Sequence, residues 1–126
     1  MNWRDYVTLG GRLAGCGIEA SDRSAVSRAY YGAFNLSRRW LEVNVAPIDN
    51  RGAHERVWKT FRNAGHANAK TRQKWERIGD LGGGLRTLRN QADYADDVPG
   101  LGREALAAVD IAVEILWLLG ELELAN

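Results

Sequence analysis

Apolar residues recur along this chain every three to four positions, the spacing that lines one face of an α-helix. No stretch alternates apolar and polar residues between turn signals as a half-buried strand does. The pattern predicts an all-α fold, an antiparallel bundle of four to five helices. A first helix is expected from about Trp3 to Leu13, with Tyr6, Leu9 and Leu13 inward and Gly15 and Gly17 ending it. A second is expected after Ser21-Asp22, which read as an N-cap, and reaches Asn44. Its stripe is Val26, Tyr30, Ala33, Phe34, Ser37 and Leu41. Val45 to Gly52 reads as a loop. A third helix covers roughly Ala53 to Ala64, with Val57, Trp58 and Phe61 facing the core.

The fourth helix starts near Asn68 and carries Trp75, Ile78, Leu81, Leu85, Leu88, Ala92 and Ala95 on one side. Gly82-Gly83-Gly84 falls in its middle, where each glycine costs about 1 kcal/mol relative to Ala. The apolar phase is the same on both sides of the glycines, which favours a continuous helix packed very closely on a neighbour. The last helix follows Pro99-Gly100 and runs to about Leu122. Asp110, Glu114 and Glu121 form a narrow acidic stripe on its otherwise apolar surface. A helix apolar nearly all round must be covered on most sides. A central place in the bundle or a dimer interface is therefore expected.

Composition narrows the function classes. With 126 residues the chain is read as one domain, residues 1–126. A hydrophobic share of 45% and a charged share of 26% suit a globular rather than a disordered chain. The net charge of +1 supplies no global field toward nucleic acid, so any such contact needs a local basic patch. The single cysteine, Cys16, is read as structural. It allows no intrachain disulfide, which fits a reducing, cytoplasmic setting. The N-terminus lacks a signal-peptide pattern, and the apolar C-terminal run is too charged to span a bilayer, so no membrane contact is expected.

Polar residues with chemical potential fall on two helices. The phase of the fourth gathers Arg86, Arg89, Asn90, Asp93 and Asp97, off the Leu85/Leu88/Ala92 stripe. Arg89 and Asp93, four apart, can pair along the helix, and the plain reading is an ordinary intrahelical ion pair. The phase of the second gathers Arg28, Tyr31, Asn35, Arg38 and Glu42. Tyr30 is expected in the core, while Tyr31 on the polar side could hydrogen-bond Asp93 or stack a base. Arg51, Arg56, Lys59, Arg62, Lys70, Arg72, Lys74 and Arg77 are interleaved with Trp58, Phe61 and Trp75. They read as the solvated side of two amphipathic helices before they read as a phosphate face. His54 and His66 are far apart, and with one cysteine they make no zinc site, so no metal or cofactor is expected. Gly82-Gly83-Gly84 lacks the following Lys-Ser/Thr of a P-loop.

Two segments carry a resemblance: Ser27-Arg28-Ala29-Tyr30-Tyr31 through Arg39, and Leu88-Arg89-Asn90-Gln91-Ala92-Asp93-Tyr94. Together they resemble the HEPN superfamily of small helical bundles, in its branch with Arg-Ala-Tyr-Tyr and Arg-x-x-Ala-Asp-Tyr. The resemblance implies a dimer whose motif helices line a shared cleft containing Arg89 and Asn90. It also implies a metal-independent endoribonuclease, the toxin of a toxin–antitoxin or phage-defence module. Its antitoxin would be a nucleotidyltransferase-type partner able to adenylylate a tyrosine such as Tyr94. The family signature places a His after the Arg with four to six residues between them, and here Tyr94 stands at the nearest such position. Cleavage of RNA without metal needs a base for the 2′-OH, an acid for the leaving oxygen and cations for the phosphorane. Arg89 suits the last role, Asn90 a phosphate hydrogen bond and Asp93 a weak base. Tyr94 would serve as a donor, with Arg28, Tyr31 and Arg86 as binding residues. His54 is the first candidate to replace the missing base, although a capping role explains it more simply. The other reading is a catalytically silent HEPN adaptor that binds RNA, nucleotide or a partner protein.

Overall fold

The computed structural model describes residues 1–125 and contains five helices: α1 Trp3–Leu13, α2 Glu19–Asn44, α3 Ala53–Arg62, α4 Ala69–Tyr94 and α5 Leu101–Ala125. No strand occurs among the described residues, and no helix is long and apolar enough to cross a membrane. α2 is the central element. α4 runs antiparallel to it, as the contacts of Arg23 with Ala92 and of Tyr30 with Arg89 require. α5 runs parallel to α2, from Gly102 beside Asp22 to Glu123 beside Trp40. α1 closes one side against α2 and α5, and α3 lies on α4.

Small residues set how closely the helices cross. Gly10 of α1 rests on Ala25 and Ala29, and Gly32 of α2 leaves room for Val7 and the Trp3 carbonyl. On α4, Gly79 faces Arg62 and Gly82 faces the Trp58 indole. The glycine triplet lies within one unbroken helix, as its apolar phase predicted. The triplet does not act uniformly, because a Cβ at Gly84 would meet nothing. Trp58 and Phe61 are thereby fully buried, and with Trp75 they leave no aromatic platform among the basic residues of α3 and α4.

Several boundaries differ from the sequence reading. α2 begins at Glu19, three residues before Asp22. Asp22 is buried, and its Oδ1 accepts from the Gly15 amide at 2.7 Å, so it closes the α1–α2 turn rather than capping α2. α3 stops at Arg62 and α5 continues to Ala125. Leu9 is exposed, and Val7 and Gly10 form the inner face of α1 instead. Cys16 is also exposed, its thiol on the Arg12 carbonyl at 3.6 Å, so it has no place in the core. On the surface Arg77 of α4 and Glu114 of α5 pair at 2.8 Å, which lowers the pKa of the carboxyl through the hydrogen bond.

Gly82→Ala should destabilise the bundle by about 1–3 kcal/mol, since a methyl there overlaps the Trp58 ring. Gly84→Ala, in open space, should be neutral or stabilising by up to about 1 kcal/mol. Urea unfolding of the two variants checks both; equal losses would mean that the triplet tolerates or forbids side chains as a block.

Candidate anion site at the Tyr30 cluster

The loop between α2 and α3 determines where the site forms. It doubles back along α2, and Arg38 holds it there through the Ile48 carbonyl at 2.8 Å and the Asn50 side chain at 2.7 Å. Gly52, with φ of +68°, then turns the chain into α3. This returns the first turn of α3 to the level of Phe34, so that His54 stacks on the Phe34 ring with centroids 4.0 Å apart.

Tyr30 joins three elements. Its buried hydroxyl accepts from Trp58 Nε1 at 3.2 Å and lies 2.7 Å from His54 Nδ1. Indole can only donate, so the hydroxyl proton is free to go to Nδ1. That choice satisfies the hydroxyl, Trp58 Nε1 and His54 Nδ1, and assigns His54 the tautomer with its proton on Nε2. Burial raises the Tyr30 pKa, against the opposing pull of the Trp58 hydrogen bond and of Arg89 and Arg86, and keeps this proton in place. Burial also lowers the His54 pKa, and the charges of Arg89, Arg86 and Arg38 lower it further. At neutral pH His54 is therefore a neutral ring with its proton on Nε2.

Arg89 lies on the other side of Tyr30. Its guanidinium carbon is 5.1 Å from the Tyr30 ring centre and 5.4 Å from that of Tyr31. The residue is only 7% exposed, so the reading that set Arg89 apart from the core stripe was wrong. The spacing itself explains this: Arg89 is four residues after Leu85 and three before Ala92, on the same face. Compensation for its charge is incomplete. Asp93 Oδ2 is 3.5 Å from Nη1, and the Nε atoms of both Arg89 and Arg86 are buried without a partner. Stacking on tyrosines contributes about 0.5–2 kcal/mol, while each unpartnered buried donor costs about 1–3 kcal/mol. The cluster keeps positive charge that an anion in the adjoining α3–α4 groove, beside Arg62 and Arg86, would offset.

Two grooves flank this point. One, of about 200 Å³ between α3 and α4, is lined by Glu55, Arg62, Arg86, Thr87 and Asn90 over Trp58. The other, of about 420 Å³, is lined by Tyr6, Arg23, Arg28, Tyr31 and Asp93. A larger hollow of about 600 Å³ lies beside Lys59, His66 and Trp75, away from this cluster. The nearby Arg56 Nε is already satisfied there by the Arg51 carbonyl, so that hollow has less demand for an anion.

The sequence candidates divide accordingly. Arg86, Arg89, His54 and Tyr31 converge around Tyr30, with Asn90 and Asp93 at the groove edges. Arg28 stacks over Tyr6 at 5.7 Å on the far side of the second groove. Tyr94 is 76% exposed and touches none of them, and Asp97 lies beyond the end of α4. Tyr31 meets Arg89 through its ring, and Asn35 bonds back to the Tyr31 carbonyl. Sequence reasoning missed Arg23, which donates to the carbonyls of Ala92, Ala95 and Asp96 and fixes the end of α4 near Asp93. It also missed Trp58 as the donor that orders Tyr30, and Arg62 and Thr87 as groove walls. Among the described residues no group of three metal-ligating side chains converges. No protein-family model, curated protein or solved structure matches the chain.

The depressed His54 pKa makes stability depend on pH. Unfolded His54 binds a proton near the ordinary value of 6.5, whereas folded His54 binds it only at lower pH. Its contribution is complete above that value and is lost as pH falls through the folded pKa. Between about pH 7.5 and about pH 5, wild-type protein should lose more stability than His54→Gln in urea titrations. An equal loss in both would contradict a neutral His54 in the folded protein.

Proposed function

We propose that the chain is an HEPN-like RNA-binding module in which Arg86, Arg89 and Asn90 hold a phosphodiester of single-stranded RNA. The observation that carries this reading is the convergence of the Arg86 and Arg89 charges beside a histidine kept neutral, with Arg86 and Asn90 lining the α3–α4 groove. Guanidinium and phosphate match in charge and in bidentate geometry. The grooves on the two sides of α4 give a strand a path in and out. The motif resemblance argues for RNA over a free anion, and the near-neutral net charge of +1 argues for a local contact rather than general adhesion.

Binding is favoured over cutting because the cluster lacks a free base. His54 Nδ1 accepts the Tyr30 hydrogen bond, its Nε2 carries the ring proton, Asp93 faces Arg89, and Tyr94 stands apart. One observation favours the second reading, a metal-independent endoribonuclease toxin: His54 stands within the field of Arg86 and Arg89, where a base would be needed. In that reading a nucleotidyltransferase-type antitoxin would restrain it, and exposed Tyr94 would be open to adenylylation. Either reading implies a cytoplasmic protein, and the resemblance implies a homodimer.

Fluorescence anisotropy with a short single-stranded RNA in EDTA tests the proposal. Wild type should bind, and Arg86→Ala and Asn90→Ala should each weaken binding about 10- to 100-fold, as losing a charge-assisted hydrogen bond does. Arg86→Ala should also reduce the salt slope by about 1. Absence of binding at low salt would refute the reading. Cleavage in EDTA that His54→Gln abolishes would select the toxin instead.

A further inference from the structure

α1 covers only part of the groove between α2 and α5. Its first turn rests against Gly32, where a Cβ would meet the Trp3 carbonyl and Val7. α2 continues past that point to Asn44, about 18 Å further, and α5 runs beside it to Ala125. The uncovered part is a hollow of about 270 Å³ lined by Arg4, Leu36, Arg39, Val43, Leu116 and Leu119. Trp40 and Glu123 also line it, joined by a hydrogen bond of 2.9 Å from the indole to the carboxylate. By helical phase the hollow lies on the side of α2 turned away from Tyr30 and Phe34.

Gly120 lines the same hollow, and a Cβ there would meet nothing. A glycine inside a helix costs stability relative to Ala, and no neighbour requires this one. Its effect is to leave the hollow bare where a side chain would enter it. Leu119 is 7% exposed and Val43 on the rim is 77% exposed, so apolar surface runs from the interior to the rim without a cover. Arg4 comes from α1 and Arg39 from α2. Among the described residues neither guanidinium has a hydrogen bond or an ion pair. The nearby acids do not neutralise them. Glu123 accepts from Trp40, Glu42 lies 3.5 Å from Arg38, and Asp5 is outside the lining. The phase of α5 turns Glu121 to its opposite side.

We propose that this hollow binds a small aliphatic carboxylate, its chain on Leu36, Leu116 and Leu119 and its carboxylate at the mouth between Arg4 and Arg39. The lining selects that chemistry. Two free cations call for one negative group, and guanidinium matches the two oxygens of a carboxylate. The apolar remainder offers little to hydrogen-bond a sugar or a base. The volume falls just under the roughly 300–1,000 Å³ of ordinary ligand sites, which suits a ligand of octanoate size. A protein partner would need about 800 Å² of surface, and two turns on each of two helices do not supply it. The bound chain completes the cover that α1 begins. The site lies apart from the Tyr30 cluster and does not depend on what that cluster binds.

Isothermal titration calorimetry of the full chain with octanoate tests this. Wild type should bind one octanoate per chain with Kd below about 1 mM. Each methylene removed, down to hexanoate, should weaken binding about fourfold. Arg39→Gln, at an exposed position, should weaken octanoate about tenfold and leave 1-octanol unchanged. Gly120→Leu should fill the hollow and abolish binding of both, with unchanged far-UV circular dichroism. Trp117→Ala, outside the lining, should bind octanoate as wild type does. Absence of octanoate binding at millimolar concentration would overturn the proposal. So would binding that survives Gly120→Leu, or that Arg39→Gln leaves intact.

Discussion

The Tyr30 hydroxyl accepts from Trp58 and donates to His54, while its ring carries the Arg89 guanidinium. Three helices meet at this one side chain. If the hydroxyl is removed, Trp58 Nε1 and His54 Nδ1 both lose their buried partner, and a position free of strain becomes an unsatisfied one. The tautomer of His54, the burial of Arg89 and the approach of α3 to α2 all follow from keeping this bond. The polar network is small, but its members are mutually required, so it specifies one packing.

The network in turn depends on glycine. Trp58 can reach Tyr30 because α3 lies directly on the bare backbone of Gly79 and Gly82. Burying the whole indole gives back more than the helix loses through its glycines, since an aromatic side chain buries 150–250 Å² on the order of the largest in any core. Arg38 and Gly52 act at the other end of α3 by folding the preceding loop back along α2. Local backbone devices thus place Tyr30, His54 and two arginines together from three separate helices. The result is a cationic edge that Asp93 compensates only in part.

Much of the fold was legible in the sequence, because helical periodicity records burial directly. The unbroken α4 could be read because the apolar phase on either side of Gly82-Gly83-Gly84 agrees. Arg89 was misplaced because polarity was taken to mean exposure, although its spacing from Leu85 and Ala92 put it on the buried face. Asp22 was misassigned because a local N-cap and a long-range bond to Gly15 use the same side chain, and sequence cannot separate them. The bonds from Arg23 to the end of α4 join positions about seventy residues apart, and no local pattern marks them. His54 was visible as a helix-opening residue, but its pairing with Tyr30 depends on the course of the α2–α3 loop.

The state of the His54 ring tests the account most directly. Long-range proton–nitrogen correlation on histidine-labelled protein at neutral pH reads the tautomer and charge of each ring. The account predicts a neutral His54 protonated on Nε2, titrating below the ordinary 6.5, with Tyr30→Phe releasing that preference. An imidazolium at neutral pH, or a proton on Nδ1, would contradict it.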